Sequence, residues 1–256
     1  MMNEHRPRKR FGQNFLHDQQ VIQQIIAAIS VRESDFLVEI GPGQGALTKP
    51  LLTQISHLVA IEFDRDLVQY LQSQNWGELT LYQADVLKFD FAQLNQPTLR
   101  IVGNLPYNIS TPLLFHVLNY AEMVQDMVFM LQKEVVDRIV AKPNCTDYGR
   151  LSVMLQYHCH VEKLFDVSPQ AFNPPPKVDS SIVQLIPHPK PPVAVNNKAL
   201  FDKLVAQAFT QRRKTLRNNL KPLLSSEQIE QVGINPQVRA ETLNLEEFAA
   251  LSNLLS

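Results

Sequence analysis

The segment VGNLPYNIS at residues 102–110 joins an apolar stretch to an amide, a proline and an aromatic ring. The side chain of Asn104 and the backbone carbonyl of Leu105 offer hydrogen-bond acceptors, and Pro106 fixes its own φ while restricting the residue before it. Tyr107 adds a flat face on which another ring can stack. Asparagine and proline are also common turn residues, so an ordinary loop would have a similar composition. The sharper interpretation is that this segment holds a flat, polar group.

Polar side chains lie at or near the ends of four apolar segments, and these segments alternate with helix-period segments. The polar residues are Glu39 in FLVEIG, Glu62 in LVAIEF, Asp85 in LTLYQAD and Asn104 in LRIVGN. The alternation predicts a parallel sheet covered on both faces. The carboxyl ends of its strands would lie along one edge, which is where open α/β sheets bind ligands. A single acidic residue after a strand is commonly a helix cap, as Asp64 could be, but four polar ends in succession predict a binding site.

The loop GPGQGA at residues 41–46 follows the first of these segments. Its glycines allow a sharp turn and a close approach of a ligand to the backbone, and the next helix offers its amide end. The loop also matches the dinucleotide fingerprint G-x-G-x-x-A loosely, and Glu62 could take ribose hydroxyls in either class of cofactor. Glu39 and Asp85 are not part of the dinucleotide pattern, and they argue against a dehydrogenase.

The rest of the chain predicts a second, smaller domain. Two β-rich stretches, 157–165 and 180–186, are expected to close the sheet. The segment PHPKPP at 187–192 then marks a change in composition that is typical of a stiff, extended linker. The segments beyond it have helical periodicity. We therefore predict a Rossmann-like α/β domain with a basic N-terminal arm over residues 1–189, and a small all-α domain over residues 190–256.

As an ordered set, these motifs resemble a known family. VEIGPGQG at 38–45, with acidic ends on the next two strands, resembles the S-adenosylmethionine pocket of class I methyltransferases. NLPY at 104–107 resembles a variant of the [DN]PP[YF] motif of enzymes that methylate exocyclic amines. Together with RKRFGQNFL at 8–16 and FNPPPKVDSS at 172–181, the set resembles the ribosomal RNA adenine dimethyltransferases, and best their KsgA/RsmA branch. The resemblance implies a class I fold, with a mostly parallel seven-stranded Rossmann-like sheet and a small all-α C-terminal domain.

The resemblance implies catalytic roles for five residues. Asn104 through its side-chain oxygen and Leu105 through its carbonyl would accept hydrogen bonds from the N6 amine of an adenine. Tyr107 and Phe172 would stack on opposite faces of the base. Asn104 stands where many relatives have an acidic residue, so no carboxylate there would take the proton and positioning would carry the catalysis. The predicted catalytic residues are Asn104, Leu105, Pro106, Tyr107 and Phe172.

The implied cofactor is S-adenosyl-L-methionine. Glu62 would hold its ribose hydroxyls, and Asp85 would contact its adenine amine. The loop at Gly41 would face its methionine end, while Asn14 and Leu16 would close the pocket. The predicted cofactor-binding residues are Asn14, Leu16, Gly41, Gly43, Glu62, Asp85 and Asn104.

The implied reaction transfers methyl groups to the N6 amines of two adjacent adenines in the 3′-terminal hairpin loop of 16S rRNA, during biogenesis of the small ribosomal subunit. The product would be N6,N6-dimethyladenosine. Large-subunit adenine methyltransferases of the macrolide-resistance type share this pocket and chemistry, and FNPPPKVDSS favours the small-subunit branch only modestly. A DNA adenine methyltransferase is a third enzyme option. A mainly non-catalytic ribosome-assembly factor is an alternative from another class.

The basic residues are clustered although the formal net charge is only −1. Such clusters predict a polyanionic partner, although a solvated helix face has the same composition. The first cluster is the basic N-terminal arm. The second cluster, formed by Arg212, Arg213, Lys214 and Arg217, recurs at helical spacing. We therefore expect several of its members to share one face and to track RNA phosphates. The predicted RNA-binding residues are Arg8, Lys9, Arg10, Arg212, Arg213, Lys214 and Arg217.

Several other classes of protein are disfavoured. No run approaches the roughly 18 apolar residues of a membrane span, and the basic start lacks the apolar region of a secretory signal. The two cysteines form no CxxC pair, which argues against a zinc cluster or a disulfide scaffold. The triplet His158-Cys159-His160 is expected to alternate along a strand with no completing ligand. We predict a cytoplasmic monomer without a metal site that binds the small ribosomal subunit and no membrane.

Overall fold

The computed structural model describes residues 14–255, and a mostly parallel sheet forms its centre. The strands of this range are β1 (Phe15–Leu16), β2 (Leu37–Ile40), β3 (His57–Glu62), β4 (Glu78–Gln83), β5 (Leu99–Asn104), β6 (Val124–Gln132), β7 (Cys159–Val167), β8 (Phe172–Asn173) and β9 (Ser180–Pro187). Seven of them form one sheet in the order β4-β3-β2-β5-β6-β9-β7. The pairs from β4 to β6 are parallel, and β9 pairs antiparallel with β6. The predicted mostly parallel, seven-stranded sheet is confirmed.

Helices follow most of the strands, as the alternation predicted. Those of the described range are α1 (Gln19–Ile29), α2 (Thr48–Leu51), α3 (Arg65–Gln72), α4 (Ser110–Leu118), α5 (Lys133–Val140), α6 (Arg150–His158), α7 (Lys198–Ala208), α8 (Leu216–Leu220), α9 (Ser226–Gln231) and α10 (Leu245–Asn253). Side-chain caps begin several of them. Asp64 accepts a hydrogen bond from the N–H of Asp66 at the start of α3, so its suggested role as a cap is confirmed. Asp18 caps α1 and Asn197 caps α7 in the same way.

Two helices lie where none was predicted. In α1, the four isoleucines at positions 22, 25, 26 and 29 recur at the helical period and are buried in the main core. In α6, residues 153–155 and Tyr157 are buried in succession, so the segment carries no simple amphipathic pattern. Conversely, the helix expected over 46–55 is reduced to the short α2, which contains Pro50.

The chain divides into two compact units. One comprises the described residues up to Val136 together with Glu162–Pro187, and the other comprises Asp137–Val161 together with the residues from His188 onward. The second unit includes α6 because α6 packs on α7, where the ring of Tyr157 lies 4.7 Å from that of Phe201. Thus 137–161 group with the C-terminal helices, which a division along the sequence does not capture. The domain boundary after residue 189 stays a prediction.

The triplet at 158–160 does not form one strand, so the alternation expected for it is wrong. His158 is the last residue of α6, and Cys159 is the first residue of β7. The ring of His158 packs edge-on against Tyr157 at 4.9 Å. Within residues 14–255, no group of three or more His, Cys, Asp or Glu side chains could hold a metal ion. No helix in this range is long and apolar enough to span a membrane.

Candidate active site

A cavity of about 450 Å³ lies at the carboxyl ends of the parallel strands. Every residue predicted to bind the cofactor or to act in catalysis lines this cavity. Residues far apart in the sequence, such as Asn14, Asp85 and Phe172, therefore meet around one space. The volume falls within the range of typical small-molecule sites. The individual roles of these residues stay predictions.

The glycine-rich loop after β2 turns backbone rather than side chains toward this space. Gly41 and Gly43 have φ angles of 66° and 57°, a region that side-chain-bearing residues rarely adopt. The N–H of Gly41 donates to the carbonyl of Ile61 at 2.9 Å, which ties the loop to β3. A Cβ atom at Gly43 would lie 3.4 Å from the ring of Phe15. That distance is close to ordinary van der Waals contact, so the positive φ angles rather than a lack of space favour glycine in this loop.

Glu62 ends β3, and its carboxylate is held in place by backbone donors. The N–H of Asp64 donates to Oε1 at 2.8 Å, and the N–H of Gly43 donates to Oε2 at 3.3 Å. Burial raises the pKa of Glu62, and the donated hydrogen bonds lower it in part. These bonds fix the orientation of an acceptor at the cavity wall, as expected for a group that binds ribose hydroxyls.

Glu39 is a second buried carboxyl group at the cavity. It is only 2% exposed, and its Oε2 accepts a hydrogen bond of 2.7 Å from the hydroxyl of Thr48. Burial raises its pKa to about 7, the hydrogen bond from Thr48 opposes this, and repulsion by Glu62 adds to it. Glu39 was noted as a polar position in the sequence, but it was not assigned to the site.

Asp85 serves two purposes at the end of β4. Its Oδ1 accepts a hydrogen bond of 3.0 Å from the N–H of Leu87 and so caps the short 3₁₀ turn Val86–Lys88. Asp85 also lines the cavity. A helix cap and a cavity acceptor are therefore compatible at this residue.

The NLPY segment begins at the last residue of β5. The N–H of Leu105 donates to the carbonyl of Met130 in β6 at 3.1 Å, which continues the strand pairing through this point. The next carbonyl, that of Pro106, accepts from the N–H of Ile109 at 3.1 Å and closes a turn. Gly103 is required here because a Cβ atom would lie 2.4 Å from the carbonyl oxygen of Ile40. The segment is thus fixed by backbone on both sides.

Tyr107 is half-buried at the cavity, and its hydroxyl lies 2.9 Å from that of Ser180, the first residue of β9. Burial raises the pKa of Tyr107, and the hydrogen bond with Ser180 lowers it in part. The phenol is therefore neutral at physiological pH, and its ring is available as a flat apolar surface.

The comparison with protein families tests the resemblance that the motifs suggested. A model of the family described as ribosomal RNA adenine dimethylase matches residues 4–256. The chain belongs to this family. The resemblance inferred from the motifs is therefore confirmed.

Curated relatives of this chain are called ribosomal RNA small subunit methyltransferase A. The protein of Pseudomonas aeruginosa is 56% identical over 99% of this chain and 96% of its own length. That of Alcanivorax borkumensis is 52% identical over 99% of this chain and 91% of its own length. These similarities extend across both compact units.

Solved structures share the fold of this chain. A dimethyladenosine transferase from Plasmodium falciparum is 27% identical, with a TM-score of 0.77 over 93% of this chain and 95% of that one. The 23S rRNA methyltransferase ErmE is 24% identical, with a TM-score of 0.69 over 94% of this chain and 99% of that one. The second likeness concerns the fold alone. The predicted class I methyltransferase fold is confirmed.

The structure corrects the expectation that Phe172 offers an open stacking surface. The prolines that follow it are largely exposed, but Phe172 itself is only 2% exposed and belongs to the main hydrophobic core. It lies in β8, which pairs antiparallel with β1 so that Leu16 faces Phe172 and Phe15 faces Asn173. Phe172 borders the cavity from within this ribbon, so its ring is not an exposed stacking surface in this conformation.

The basic residues are only partly as expected. Arg8, Lys9 and Arg10 lie outside the described residues. The helical spacing predicted for the second cluster is wrong, because Arg212–Lys214 lie in the turn between α7 and α8. All of its four members are nevertheless exposed. Arg212 forms an ion pair of 3.2 Å with Glu241, which compensates part of the positive charge.

Sequence reasoning missed residues that contact the site residues and hold them in place. Thr48, Phe15 and Ser180 contact, in this order, Glu39, the glycine loop and Tyr107. Phe15 and Ser180 belong to motifs that had been noted, QNFL and FNPPPKVDSS, but motif membership does not tell which partner a side chain contacts. Thr48 carried no signal beyond its position at the start of a helix.

Proposed function

We propose that this chain transfers methyl groups from S-adenosyl-L-methionine to adenine N6 amines of small-subunit ribosomal RNA and forms N6,N6-dimethyladenosine. The observation that carries the proposal is that one cavity contains both the acidic and glycine-rich residues suited to the cofactor and the NLPY segment suited to the amine. The family and the small-subunit names of relatives at 52–56% identity agree with it.

The chemistry of the wall fits the proposed cofactor. Glu39, Glu62 and Asp85 line the cavity, and the cofactor carries hydrogen-bond donors in its ribose hydroxyls and amino groups and a positive charge on its sulfur. The backbone of the loop at Gly41 and Gly43 leaves room for close approach. In the proposed arrangement, Glu62 binds the ribose, Asp85 binds the adenine amine, and Asn14 and Leu16 close the pocket.

The bound cofactor supplies a methyl group that its sulfonium already activates, so the chain needs no nucleophile of its own. Asn104 Oδ1 and the carbonyl oxygen of Leu105 accept hydrogen bonds from the N6 amine and point its lone pair at the methyl group. They also stabilise the amine as it becomes pyramidal and gains positive charge. An asparagine side chain does not take a proton, so the cationic amine releases its proton to solvent after transfer.

The target base has to leave its stack to reach the cavity. Tyr107 offers one face for it, and stacking of this kind contributes roughly 1–3 kcal/mol per base. We place the substrate in the loop of the 3′-terminal hairpin of 16S rRNA, where two adjacent adenines each receive two methyl groups. Exposed cations at Arg213, Lys214 and Arg217 hold phosphates of the small subunit, in the cytoplasm. The enzyme acts as a monomer in this scheme.

The test uses purified protein, S-adenosylmethionine and small ribosomal subunits that lack these methyl groups. Nucleosides from the digested RNA are identified by mass spectrometry, and a sample without S-adenosylmethionine is the control. We expect N6,N6-dimethyladenosine in the 3′-terminal hairpin only. Modification of large-subunit RNA alone would assign the chain to the resistance-type activity. Cofactor binding without modification of either RNA would favour an assembly factor and overturn the proposal.

A further inference from the structure

Ser180 is a fully buried residue that contacts the site without lining the cavity. Its side chain is 0% exposed, and its hydroxyl lies 2.9 Å from the hydroxyl of Tyr107. Among the described residues that line the cavity, Tyr107 is included and Ser180 is not. Any effect of Ser180 on a ligand in the cavity therefore passes through Tyr107.

The backbone around Ser180 is firmly held. Ser180 begins β9 and pairs with Gln132, the last residue of β6. The N–H of Lys133 donates to the carbonyl of Asp179 at 2.9 Å, which extends the pairing by one step. β6 also pairs with β5, whose end carries the NLPY segment. The hydroxyl of Ser180 is thus fixed to the same sheet that positions Asn104.

The ring of Tyr107 lies on a less regular part of the chain. Tyr107 belongs to the turn between β5 and α4, and two side-chain torsions set the plane of its ring. Its hydroxyl is the far end of the side chain, so a hydrogen bond there restrains the first torsion, χ1, and fixes where the ring lies. The phenol oxygen lies on the axis of the second torsion, so the bond sets the position of the ring rather than its plane. Without this bond the side chain is free to turn about χ1 to other positions.

We propose that Ser180 is a positioning residue for the target base, because its hydroxyl holds the ring of Tyr107 at the position where the adenine stacks. This inference rests on the proposed function in one respect only, namely that the stacked group is an adenine. Ser180 has no part in binding the cofactor. The sequence shows that the motifs NLPY and FNPPPKVDSS occur together in one resemblance. The contact between Tyr107 and Ser180 gives a physical reason why the two motifs act together.

The next residue provides a matched control. Ser181 is also 0% exposed and also lies in β9, but its hydroxyl donates to Asp166 at 2.6 Å instead. Successive strand residues point to opposite faces, so Ser181 has no path to Tyr107. Ser180→Ala and Ser181→Ala each remove one buried hydroxyl from neighbouring positions, and both replace serine with a smaller residue.

The first measurement is a kinetic comparison of wild type, Ser180→Ala, Tyr107→Phe, the double variant and Ser181→Ala. We expect kcat/KM for RNA to fall about threefold to tenfold in each of the first two variants, the effect of one neutral hydrogen bond. The double variant should lose no more than either single one, because both remove the same bond. Cofactor affinity should stay constant throughout, and Ser181→Ala should resemble wild type.

The second measurement does not depend on any substrate. Nuclear magnetic resonance of ¹³C-labelled tyrosine, with Tyr107→Phe to assign the signal, reports whether the side chain of Tyr107 occupies one χ1 rotamer. We expect one rotamer in wild type and Ser181→Ala, and averaging between rotamers in Ser180→Ala. An ordered ring in Ser180→Ala, or additive kinetic losses, would overturn the inference. A further outcome is a ring that is ordered in wild type and Ser181→Ala but not in Ser180→Ala, while the protein methylates no RNA. That result would support the positioning role and reject the proposed function.

Discussion

The N–H of Gly43 donates to Oε2 of Glu62 at 3.3 Å and so joins the glycine-rich loop after β2 to the end of β3. The other oxygen of Glu62 accepts from the N–H of Asp64 at 2.8 Å. One carboxylate therefore fixes two segments of the cavity wall. Because both oxygens already accept a backbone donor, Glu62 presents a preorganised acceptor to a ligand rather than a mobile one.

Glu62→Ala should weaken binding of S-adenosylmethionine about tenfold to a hundredfold, since a hydrogen bond to a charged group contributes roughly 1.5–3 kcal/mol. RNA affinity should change little. Isothermal titration with the cofactor and a filter-binding assay with RNA give the two values. Glu78→Ala, at an exposed position in β4, serves as the control. Equal losses for cofactor and RNA would contradict the assigned role.

Asn104→Ala should lower kcat for methyl transfer by about a hundredfold, because it removes one preorganised acceptor from the reacting amine. The loss should appear in single-turnover rates at saturating cofactor, which separates it from any change in cofactor affinity. Asn119→Ala, at an exposed position after α4, should leave the rate unchanged. Near-normal turnover of Asn104→Ala with cofactor bound would show that this side chain does not hold the amine.

Glu39→Gln should change how stability depends on pH. The pKa of Glu39 is about 7 in the folded chain, above its ordinary value of 4.5, so the folded state binds more protons than the unfolded state between these values. Wild type therefore loses stability as pH rises from about 4.5 to 7, by up to about 3 kcal/mol from this group. The glutamine variant lacks this loss.

Urea unfolding of the cofactor-free protein at pH 5 and pH 8 measures the effect. The free energy of unfolding of Glu39→Gln should exceed that of wild type at pH 8 and approach it at pH 5. Burial, the largest cause of the raised pKa of Glu62, is the same in both proteins, so most of the contribution of Glu62 cancels. Parallel pH profiles would mean that Glu39 is not buried in the manner described.

Gly103→Ala should destabilise the fold by roughly 1–3 kcal/mol and reduce methyl transfer. The added Cβ atom would lie 2.4 Å from the carbonyl oxygen of Ile40, and backbone cannot rotate away as a flexible side chain can. Gly149→Ala is the control, because nothing lies within 4 Å of a Cβ atom there. Thermal unfolding compares the two. A Gly103→Ala protein as stable as the control would show that β2 and β5 are less closely apposed.

Reversing Arg213 and Lys214 to glutamate should weaken RNA binding and flatten its dependence on salt, by a slope of about 1 for each phosphate that the protein no longer neutralises. Arg212→Glu should have a smaller effect, because Arg212 already pairs with Glu241. Lys190→Glu, at an exposed position in the proline-rich segment, is the control. RNA affinities measured across a series of salt concentrations give both the loss of binding and the change in slope. Unchanged affinity and slope would identify the cluster as an ordinary solvated surface.

Much of the fold was predictable because short-range patterns carry it. Alternating apolar strands and helix-period segments specify a parallel sheet, and the polar residues at the strand ends specify its binding edge. The glycine-rich loop and NLPY were likewise recognisable, because each is a short run of adjacent residues. The backbone conformations in these runs favour glycine, proline or asparagine. All predicted cofactor and catalytic positions accordingly line one cavity.

What only the tertiary structure decided concerns partners that are distant in the sequence. Phe172 is buried because β8 pairs with β1, about a hundred and fifty residues earlier, and no local pattern encodes that register. The contact of Tyr107 with Ser180 and the grouping of 137–161 with the C-terminal helices depend on the same kind of long-range packing. Sequence alone therefore identified many of the chemical groups that surround the cavity, whereas side-chain packing across strands added others, such as Glu39, and decided which of them are exposed, buried or held in one position.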